Sequence, residues 1–251
     1  MIGKRTRRLA AAAILALGLP LAALGADDPL SPEQSRQVEK IVRDYLLANP
    51  DVVMEALRTL ELRKKESEEA QLKQTLTVER DQLLSSPDSP VLGNPKGDVS
   101  VVEFFDYRCP YCKSVMLPLL KAIADDGNVR LVLKEFPILG PESQFAAQAA
   151  LASVKQGKYQ DFHVKLMGAK GALGEAVVME VAKSVGLDTD RLKSDMNDPA
   201  IKAEIERTYR LADALRITGT PTFVVGGRLV RGALPIEELM AIVRETRKEK
   251  G

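Results

Sequence analysis

The sequence lacks tryptophan, contains a single histidine, and has only 4% aromatic residues among 251 positions. With His163 alone, a metal site that needs several imidazole ligands is excluded, and a Ser/His hydrolase would have to use that residue as its base. The chain also lacks a charge surplus, with 36 Lys+Arg against 35 Asp+Glu, so we expect no nucleic-acid partner. The two cysteines lie three positions apart and cannot link distant parts of a fold.

Only one long apolar run is present, at residues 11–24. Four basic residues precede it, and the small residues Ala23 and Gly25 end it. This order predicts a secretory signal peptide over residues 1–25, cleaved near Gly25. A membrane anchor that is not cleaved is the alternative, but the run is short for a membrane span. The predicted destination is the bacterial periplasm, where thiols can be oxidised.

Residues 27–88 predict a helical region that contains no glycine. Ser31-Pro32 and Asn49-Pro50 each have the pattern of a helix cap and first turn. The sequence at 61–74 is too polar to cover an apolar stripe, and its few leucines fit either a solvated helix or self-association. We therefore predict an oligomerisation region and a linker, with a solvated helix without a partner as the alternative. The stripe comprises Val53, Ala56, Leu57 and Leu60, and the sparse leucines are Leu62, Leu72, Leu76 and Leu83.

The remaining residues, 91–249, predict an α/β domain. Ser85–Pro90 ends the helical region and is a candidate hinge, and residues 93–97 are typical of a turn. The predicted elements are, in order, buried strands at 99–105 and 129–136 with a helix from Cys109 to about Asp125 between them, a helical stretch over about 141–215, a hairpin over 222–232, and a helix from about Pro235 to Lys248.

The two cysteines form the sequence Cys109-Pro110-Tyr111-Cys112 at the junction of a predicted strand and a predicted helix. Unpaired backbone N–H groups and the helix dipole stabilise a thiolate at a helix N-terminus. The thiolate is the attacking species in disulfide exchange. Helix geometry exposes the first cysteine and buries the second one turn inside, so Cys109 is the predicted nucleophile and Cys112 the resolving thiol.

Other functions remain open for an isolated pair of this kind. Zinc would need two further ligands that this chain does not supply in a suitable pattern. A structural disulfide would close a loop so small that it constrains almost nothing. The two thiolates could instead bind copper(I). Apart from that copper(I) alternative, we expect no cofactor besides the redox-active Cys109–Cys112 disulfide, and no metal site.

A second motif, Gly219-Thr220-Pro221-Thr222-Phe223, leads into the predicted hairpin. On its own it would be a proline at a strand entrance, which is tolerated there. A strand followed by CPYC and, much later, by GTPTF resembles the thioredoxin-fold disulfide oxidoreductases of the DsbA type over about residues 91–249. The resemblance implies a thioredoxin fold with an inserted helical subdomain. It also implies a cis Pro221 against the cysteine pair and substrate binding along Thr220.

The N-terminal region narrows the resemblance. Residues 50–63 and 134–140 resemble suppressor-of-copper-sensitivity C proteins, some of which are trimers joined through N-terminal helices and act as disulfide isomerases. For this chain the resemblance implies a homo-oligomer of three copies, cysteine-containing secreted proteins as substrates, and a membrane thiol reductase or oxidase as redox partner. It also places Glu103 and Lys134 beneath the cysteines, where Glu103 would carry protons to or from Cys112. An ion pair at the strand ends near solvent is the alternative.

These observations predict a periplasmic thiol–disulfide oxidoreductase. The N-terminal region favours an isomerase, because an oligomer would surround a substrate with several reactive sites. The alternatives are a monomeric dithiol oxidase, a copper-binding protein that uses the same thiols, and a scaffold that needs neither cysteine. We expect His163, in a predicted helix, to be a surface or packing residue.

Overall fold

The computed structural model describes residues 30–250, and the predicted signal peptide at 1–25 lies outside the described residues. The chain divides into two units between Leu62 and Arg63. In its described part, the first unit contains helix α1 (Pro32–Ala48) and the first part of helix α2 (Pro50–Val78). Along residues 30–250 no helix is both long and apolar enough to cross a membrane.

The helix starts in the first unit follow the predicted caps. The Ser31 hydroxyl accepts a hydrogen bond from the Gln34 backbone N–H, and the Gln34 side chain accepts one from the Ser31 N–H, which forms a capping box. Helix α1 ends before Asn49, and α2 begins at Pro50 as predicted. No residue of α1 is buried, and the predicted stripe on α2 is exposed at Val53, Leu57 and Leu60. These apolar side chains are left exposed by the described residues, 30–249.

The second unit is built on a five-stranded sheet with the order β1-β3-β2-β4-β5. Strands β2 and β3 are parallel, and the other neighbouring pairs are antiparallel. The two central strands match their predicted ranges to within one residue, because their runs of buried apolar residues are distinctive. The strands are β1 (Val91–Gly93), β2 (Val99–Phe105), β3 (Val129–Glu135), β4 (Thr222–Val225) and β5 (Arg228–Arg231).

Strand β1 is absent from the sequence-based prediction, which placed only a turn near Gly93. It has three residues and pairs with β3 at the edge of the sheet, with Val91 opposite Val132. Gly93 has a φ of 71°, and a Cβ there would lie 2.6 Å from the Val129 carbonyl oxygen. The glycine that signals a turn is therefore also required where this short strand approaches β3.

Helices surround the sheet and fill the long connection between β3 and β4, as the predicted insert over 141–215 requires. A short 3-10 helix, Val154–Gln156, follows the first helix of the insert. The helices of the second unit after α2 are α3 (Arg80–Leu84), α4 (Pro110–Asp126), α5 (Pro141–Ser153), α6 (Tyr159–Gly168), α7 (Glu175–Ser184), α8 (Thr189–Asp195), α9 (Pro199–Ala214) and α10 (Ile236–Lys250).

The two faces of the sheet carry separate apolar clusters. On one face, Val101 and Phe105 of β2 pack with Cys112 and Leu119 of α4. On the other face, Val102 and Phe104 of β2 pack in a cluster that also includes Leu76, Leu83, Leu211 and Leu215. Successive side chains of a strand point to opposite faces, which produces this division.

The second apolar cluster includes residues that precede the predicted start of the domain at residue 91. Leu76 and Leu83, which the sequence assigns to the oligomerisation region and linker, are 6% and 2% exposed and pack under the sheet. The domain therefore reaches back into α2, well before residue 91. Burial of each of these leucine side chains stabilises the folded domain by about 2 kcal/mol.

The predicted hinge at Ser85–Pro90 is also corrected. Helix α3 ends at Leu84, so the helix stop is confirmed. Beyond it, the Ser89 hydroxyl donates to Glu204 at 2.5 Å, and Asp88 forms an ion pair with Arg207. Both partners belong to α9, so the segment is fastened to the domain instead of moving freely.

Candidate active site

The two cysteines lie at the N-terminus of α4, directly beyond the end of β2. Cys109 is the N-cap of the helix, with extended backbone angles, and Pro110 occupies the first helical position. The Cys109 sulfur accepts a hydrogen bond from the Cys112 backbone N–H at 3.5 Å. Both residues are free thiols; Cys112 is fully buried and Cys109 is 4% exposed, whereas Tyr111 is 67% exposed. The Cys109 sulfur therefore lies just below the protein surface, on which the Tyr111 side chain is exposed.

The environment gives the two thiols opposite acidities. The Cys112 thiol donates to the Cys109 sulfur, and the backbone N–H groups of Cys112 and Tyr111 add to this, so the pKa of Cys109 is lowered from 9.0 to about 5. The same hydrogen bond and burial raise the pKa of Cys112 well above its usual value. At neutral pH the first cysteine is thus a thiolate and the second a thiol. These acidities favour Cys109 as the nucleophile and Cys112 as the resolving thiol, an assignment that stays a prediction.

The second predicted motif meets the first across the site. The peptide bond between Thr220 and Pro221 is cis, as the resemblance implies. The Cys109 sulfur lies 3.3 Å from the Thr220 carbonyl oxygen, to which the thiol donates when it is protonated, although the two residues are 111 positions apart in sequence. Pro221 itself is held by its carbonyl oxygen, which accepts from the Gly232 N–H at 2.9 Å. The backbone at Thr220 therefore forms one wall of the site, where an extended segment can lie beside Cys109.

Glu103 lies beneath the cysteines, as the resemblance implies. It sits on the α4 face of β2, opposite Leu133 of β3 and Phe223 of β4, and is 3% exposed. Burial, and then the negative charge of Cys109, raise the pKa of Glu103 from 4.5 to about 8. The charge of Glu103 in turn raises the pKa of Cys112. A carboxyl group with a pKa close to neutrality can either give or take a proton here.

Lys134 does not lie beneath the cysteines, and this placement is corrected. It pairs in register with Phe104, which faces the second apolar cluster, so its side chain leaves the sheet on the face opposite Glu103. There its ammonium group donates to the Gln82 carbonyl oxygen at 2.6 Å and to the Ser89 hydroxyl at 2.7 Å. Burial lowers the pKa of Lys134 to about 8. Lys134 thus fastens the segment after α3 to the sheet.

Asp106 is a positioning residue that the sequence reasoning missed. Its buried carboxylate accepts hydrogen bonds from the Arg108 N–H at 2.7 Å, the Leu139 N–H at 3.0 Å and the Ser143 hydroxyl at 2.8 Å. These bonds join the turn before Cys109 to the start of α5. An aspartate between a buried strand and a CxxC pair was the available signal, since aspartate side chains commonly cap such turns.

A buried polar chain behind this turn also escaped the sequence analysis. The Tyr159 hydroxyl donates to Glu135 at 2.8 Å, and the Tyr107 hydroxyl lies 3.1 Å from Glu135 and 3.0 Å from Nδ1 of His163. Burial raises the pKa of Glu135 well above its usual range and lowers the pKa of His163 to about 3. Tyr107 and Tyr159 both donate to Glu135, and a neutral His163 that carries its proton on Nδ1 can donate to the Tyr107 oxygen. His163 is therefore a packing residue, one of the two roles expected for it.

The described side chains offer few groupings of possible metal ligands. Between residues 30 and 250, no cluster of three or more His, Cys, Asp or Glu side chains could hold a metal ion. The cysteine pair alone supplies two adjacent soft ligands. Its hydrogen bonds, its divided acidities and the wall at Thr220 fit thiol–disulfide exchange, in which one sulfur attacks and the other later displaces it.

Comparison with known sequences supports this chemistry. The family described as "DSBA-like thioredoxin domain" matches residues 100–244, and "Copper resistance protein ScsC N-terminal domain" matches residues 34–66. A Na(+)/H(+) antiporter NhaA 3 of Salinispora tropica is 34% identical over 155 residues, which cover 61% of this chain and 24% of the antiporter. The chain thus spans about a quarter of the length of that curated relative.

Solved structures resemble the chain over longer stretches. A thioredoxin-like oxidoreductase from Silicibacter pomeroyi DSS-3 is 50% identical, covers 67% of this chain and 98% of its own, and has a TM-score of 0.66. Proteus mirabilis ScsC in a transitional conformation is 31% identical, covers 88% of this chain and 100% of its own, and has a TM-score of 0.66. The fold, the cysteine pair and these matches agree: the chain belongs to the family of DSBA-like thioredoxin domain proteins.

Proposed function

We propose that this protein is a periplasmic thiol–disulfide oxidoreductase that acts on secreted proteins, and that it works as a disulfide isomerase. The observation that carries the proposal is the Cys109 sulfur at the N-cap of α4, opposite the carbonyl oxygen of Thr220 before the cis proline. The lowered pKa of Cys109 supplies the thiolate that the reaction needs. The predicted signal peptide supports export to the periplasm.

The first step is attack by the Cys109 thiolate on one sulfur of a mispaired substrate disulfide. The substrate S–S bond breaks, its second sulfur leaves as a thiolate, and a mixed disulfide joins Cys109 to the substrate. In isomerisation, a substrate thiolate then attacks within the substrate, and Cys109 leaves as a thiolate again. No net oxidation occurs, so this cycle needs only that the pair starts reduced.

The second cysteine can cleave the mixed disulfide when isomerisation within the substrate does not occur. Cys112 loses its proton, attacks the Cys109 sulfur, and releases the substrate as a reduced thiol. In the mixed disulfide Cys109 carries no charge, so it no longer raises the pKa of Glu103, and the ionised Glu103 carboxylate accepts that proton in our proposal. The product is the Cys109–Cys112 disulfide, and a membrane thiol reductase must supply two electrons to restore the dithiol. Run in the opposite direction with a membrane oxidase, the same pair would act as a dithiol oxidase.

Assembly through the N-terminal helices distinguishes the isomerase from the oxidase. The apolar stripe on α2 is exposed in the chain, and Val53, Leu57 and Leu60 are 42%, 48% and 63% exposed. A symmetric copy that presents the same stripe can cover it, and closed symmetry limits growth. The match of residues 34–66 to the ScsC N-terminal domain supports this role, and we propose a trimer on that resemblance.

Refolding of a substrate with scrambled disulfides tests both parts of the proposal. The mature chain should restore activity to the substrate, and a variant with Val53→Glu and Leu57→Glu should become monomeric and lose most of this activity while still reacting with small disulfides. Leu62→Glu is a matched control, because Leu62 is 62% exposed and lies on the opposite side of α2 from the stripe. A monomeric wild-type chain, or a stripe variant with full isomerase activity, would contradict the assembly proposal.

Copper(I) binding by the same pair remains a second proposed function, which the name of the N-terminal family favours. Two thiolates can hold copper(I) in a linear or bent arrangement. Titration with copper(I) against a chelator of known affinity tests it. Tight binding of one ion that is lost in both Cys109→Ser and Cys112→Ser supports copper binding; binding that survives in either variant removes this function.

A further inference from the structure

A basic groove opens beside the cysteine pair. It has a volume of about 440 Å³ and lies between the first turn of α4 and the loop that joins α6 to α7. Arg108 and Pro110, the chain neighbours of Cys109, both line it. Its lining contains three basic side chains, Arg108, Lys113 and Lys170, and no acidic one.

The positive charges of the three basic side chains are balanced by their neighbours to different degrees. Arg108 donates to the Leu139 carbonyl oxygen and pairs with Glu142 at 3.0 Å, so its charge is largely balanced. Lys113 donates to the Ala169 carbonyl oxygen at 2.5 Å, a neutral partner that fixes the ammonium group without cancelling its charge. Lys170 is exposed and forms no ion pair with any residue between 30 and 249. Two positive charges therefore remain uncompensated at this groove.

Positive charge of this kind has a direct consequence for a site that binds peptide segments. Because Arg108 and Pro110 flank Cys109 and line the groove, an extended substrate segment that places a disulfide on Cys109 can reach it. Carboxylates on that segment would be attracted by Lys113 and Lys170, and the attraction is strongest at low salt. Backbone bonding along Thr220 is independent of substrate side chains, whereas the groove presents charged side chains that can distinguish one sequence from another.

We propose that this groove binds acidic residues that flank the reactive cysteine of a substrate, so that the protein reacts preferentially with disulfides in acidic segments. The inference rests on the proposed function and adds its substrate preference. The chemical step is unchanged: the Cys109 thiolate forms a bond to the substrate sulfur, the substrate S–S bond breaks, and the departing sulfur carries away the electron pair. The groove acts before that step, by raising the rate of productive encounter.

Two synthetic peptides test the preference. Each carries one cysteine activated as a neutral pyridyl disulfide, with either Asp or Asn at the two positions on each side. Attack by Cys109 on the peptide sulfur releases pyridine-2-thiolate, which is followed by absorbance. In the full mature chain with Cys112→Ser, which stops at the mixed disulfide, we expect the Asp peptide to react about tenfold faster than the Asn peptide at low salt, and the ratio to fall towards one at high salt.

Charge variants locate the effect. Lys170→Glu should bring the ratio of the two rates to one or below, whereas Lys170→Gln should give an intermediate value. Lys202→Glu is the matched control, since Lys202 is an exposed lysine of α9, an element that contributes no residue to the groove. Equal rates for the two wild-type reactions at low salt, or an equal loss of preference in Lys202→Glu, would overturn the inference. The rate of the Asn peptide reports on disulfide exchange itself, so a failure of the proposed function would appear separately as no reaction with either peptide.

Discussion

The acidity of Cys109 depends on the side chain one turn further along α4. The Cys112 thiol is the main hydrogen-bond donor to the Cys109 sulfur, and the pKa of Cys109 is about 5 with this donor present. Replacing Cys112 by alanine removes the donor, whereas serine keeps a hydroxyl in its place. We therefore expect the pKa of Cys109 to rise clearly in Cys112→Ala and only slightly in Cys112→Ser.

The size of the effect follows from the strength of a hydrogen bond to a charged group. Such a bond contributes about 1.5–3 kcal/mol, and 1.36 kcal/mol corresponds to one pKa unit, so Cys112→Ala should raise the pKa of Cys109 by about 1 to 2. The backbone N–H groups at the helix N-terminus remain in the variant. They keep the pKa of Cys109 below the value of about 8.5 that a free cysteine thiol has. At pH 6, the wild-type Cys109 is then ~90% thiolate, and the alanine variant is about half thiolate or less.

Thiolate absorbance at 240 nm, recorded from pH 3 to pH 8 on the reduced protein, measures this difference. The rate of alkylation by iodoacetamide over the same range provides an independent titration curve. Tyrosine ionisation does not interfere, because its ordinary pKa of about 10 lies above the range. Identical midpoints in the wild type and both variants would refute the hydrogen-bond argument, and a wild-type midpoint near 8.5 would refute the assignment of Cys109 as a stabilised thiolate.

Three further predictions concern the buried acids and the pH dependence of stability. Glu103→Gln should leave formation of the mixed disulfide unchanged but slow its resolution by Cys112 about 100-fold, as quenched mass spectrometry would show; equal resolution rates would remove Glu103 from the mechanism. Because the pKa of Glu135 is raised in the folded state, its contribution to stability is present below its unfolded pKa of about 4.3 and is lost as the pH rises. Glu135→Gln retains an acceptor for Tyr159, so urea unfolding should show the variant gaining stability relative to wild type between pH 5 and pH 8, and no relative gain would contradict this. The lowered pKa of Cys109 has the opposite effect on stability. It stabilises the dithiol form above about pH 8.5, and this stability is lost as the pH falls through about 5. The free energy of unfolding of the dithiol form, relative to that of the disulfide form, should therefore be higher at pH 8 than at pH 4.

The parts of the site that depend on local sequence could be predicted. A run of apolar residues predicts β2 and a helical pattern begins at Cys109, so the sequence alone places Cys109 at a helix N-terminus. The approach of Thr220 to Cys109 spans 111 positions, and no local pattern contains it. It was expected only because two motifs together resemble a known family.

The errors share a physical cause. Strand β3 is apolar on both faces, so its sequence does not alternate and does not reveal on which face Lys134 lies. The leucines of α2 and α3 are sparse within a polar helix, and only the three-dimensional neighbours at Val102 and Phe104 show that they are buried. The chain from Tyr159 through Glu135 to His163 likewise joins separate elements, and each member alone resembles an ordinary surface or core residue.

In the proposed reaction, Cys109 attacks substrate disulfides and Cys112 resolves the mixed disulfide. These roles can be tested by trapping with a disulfide-bonded protein substrate, with the two single serine variants analysed by non-reducing electrophoresis and mass spectrometry. We expect Cys112→Ser to accumulate a covalent adduct joined through Cys109, and Cys109→Ser, whose remaining thiol is fully buried, to accumulate none. Adducts through Cys112 in Cys109→Ser, or none in either variant, would contradict these roles.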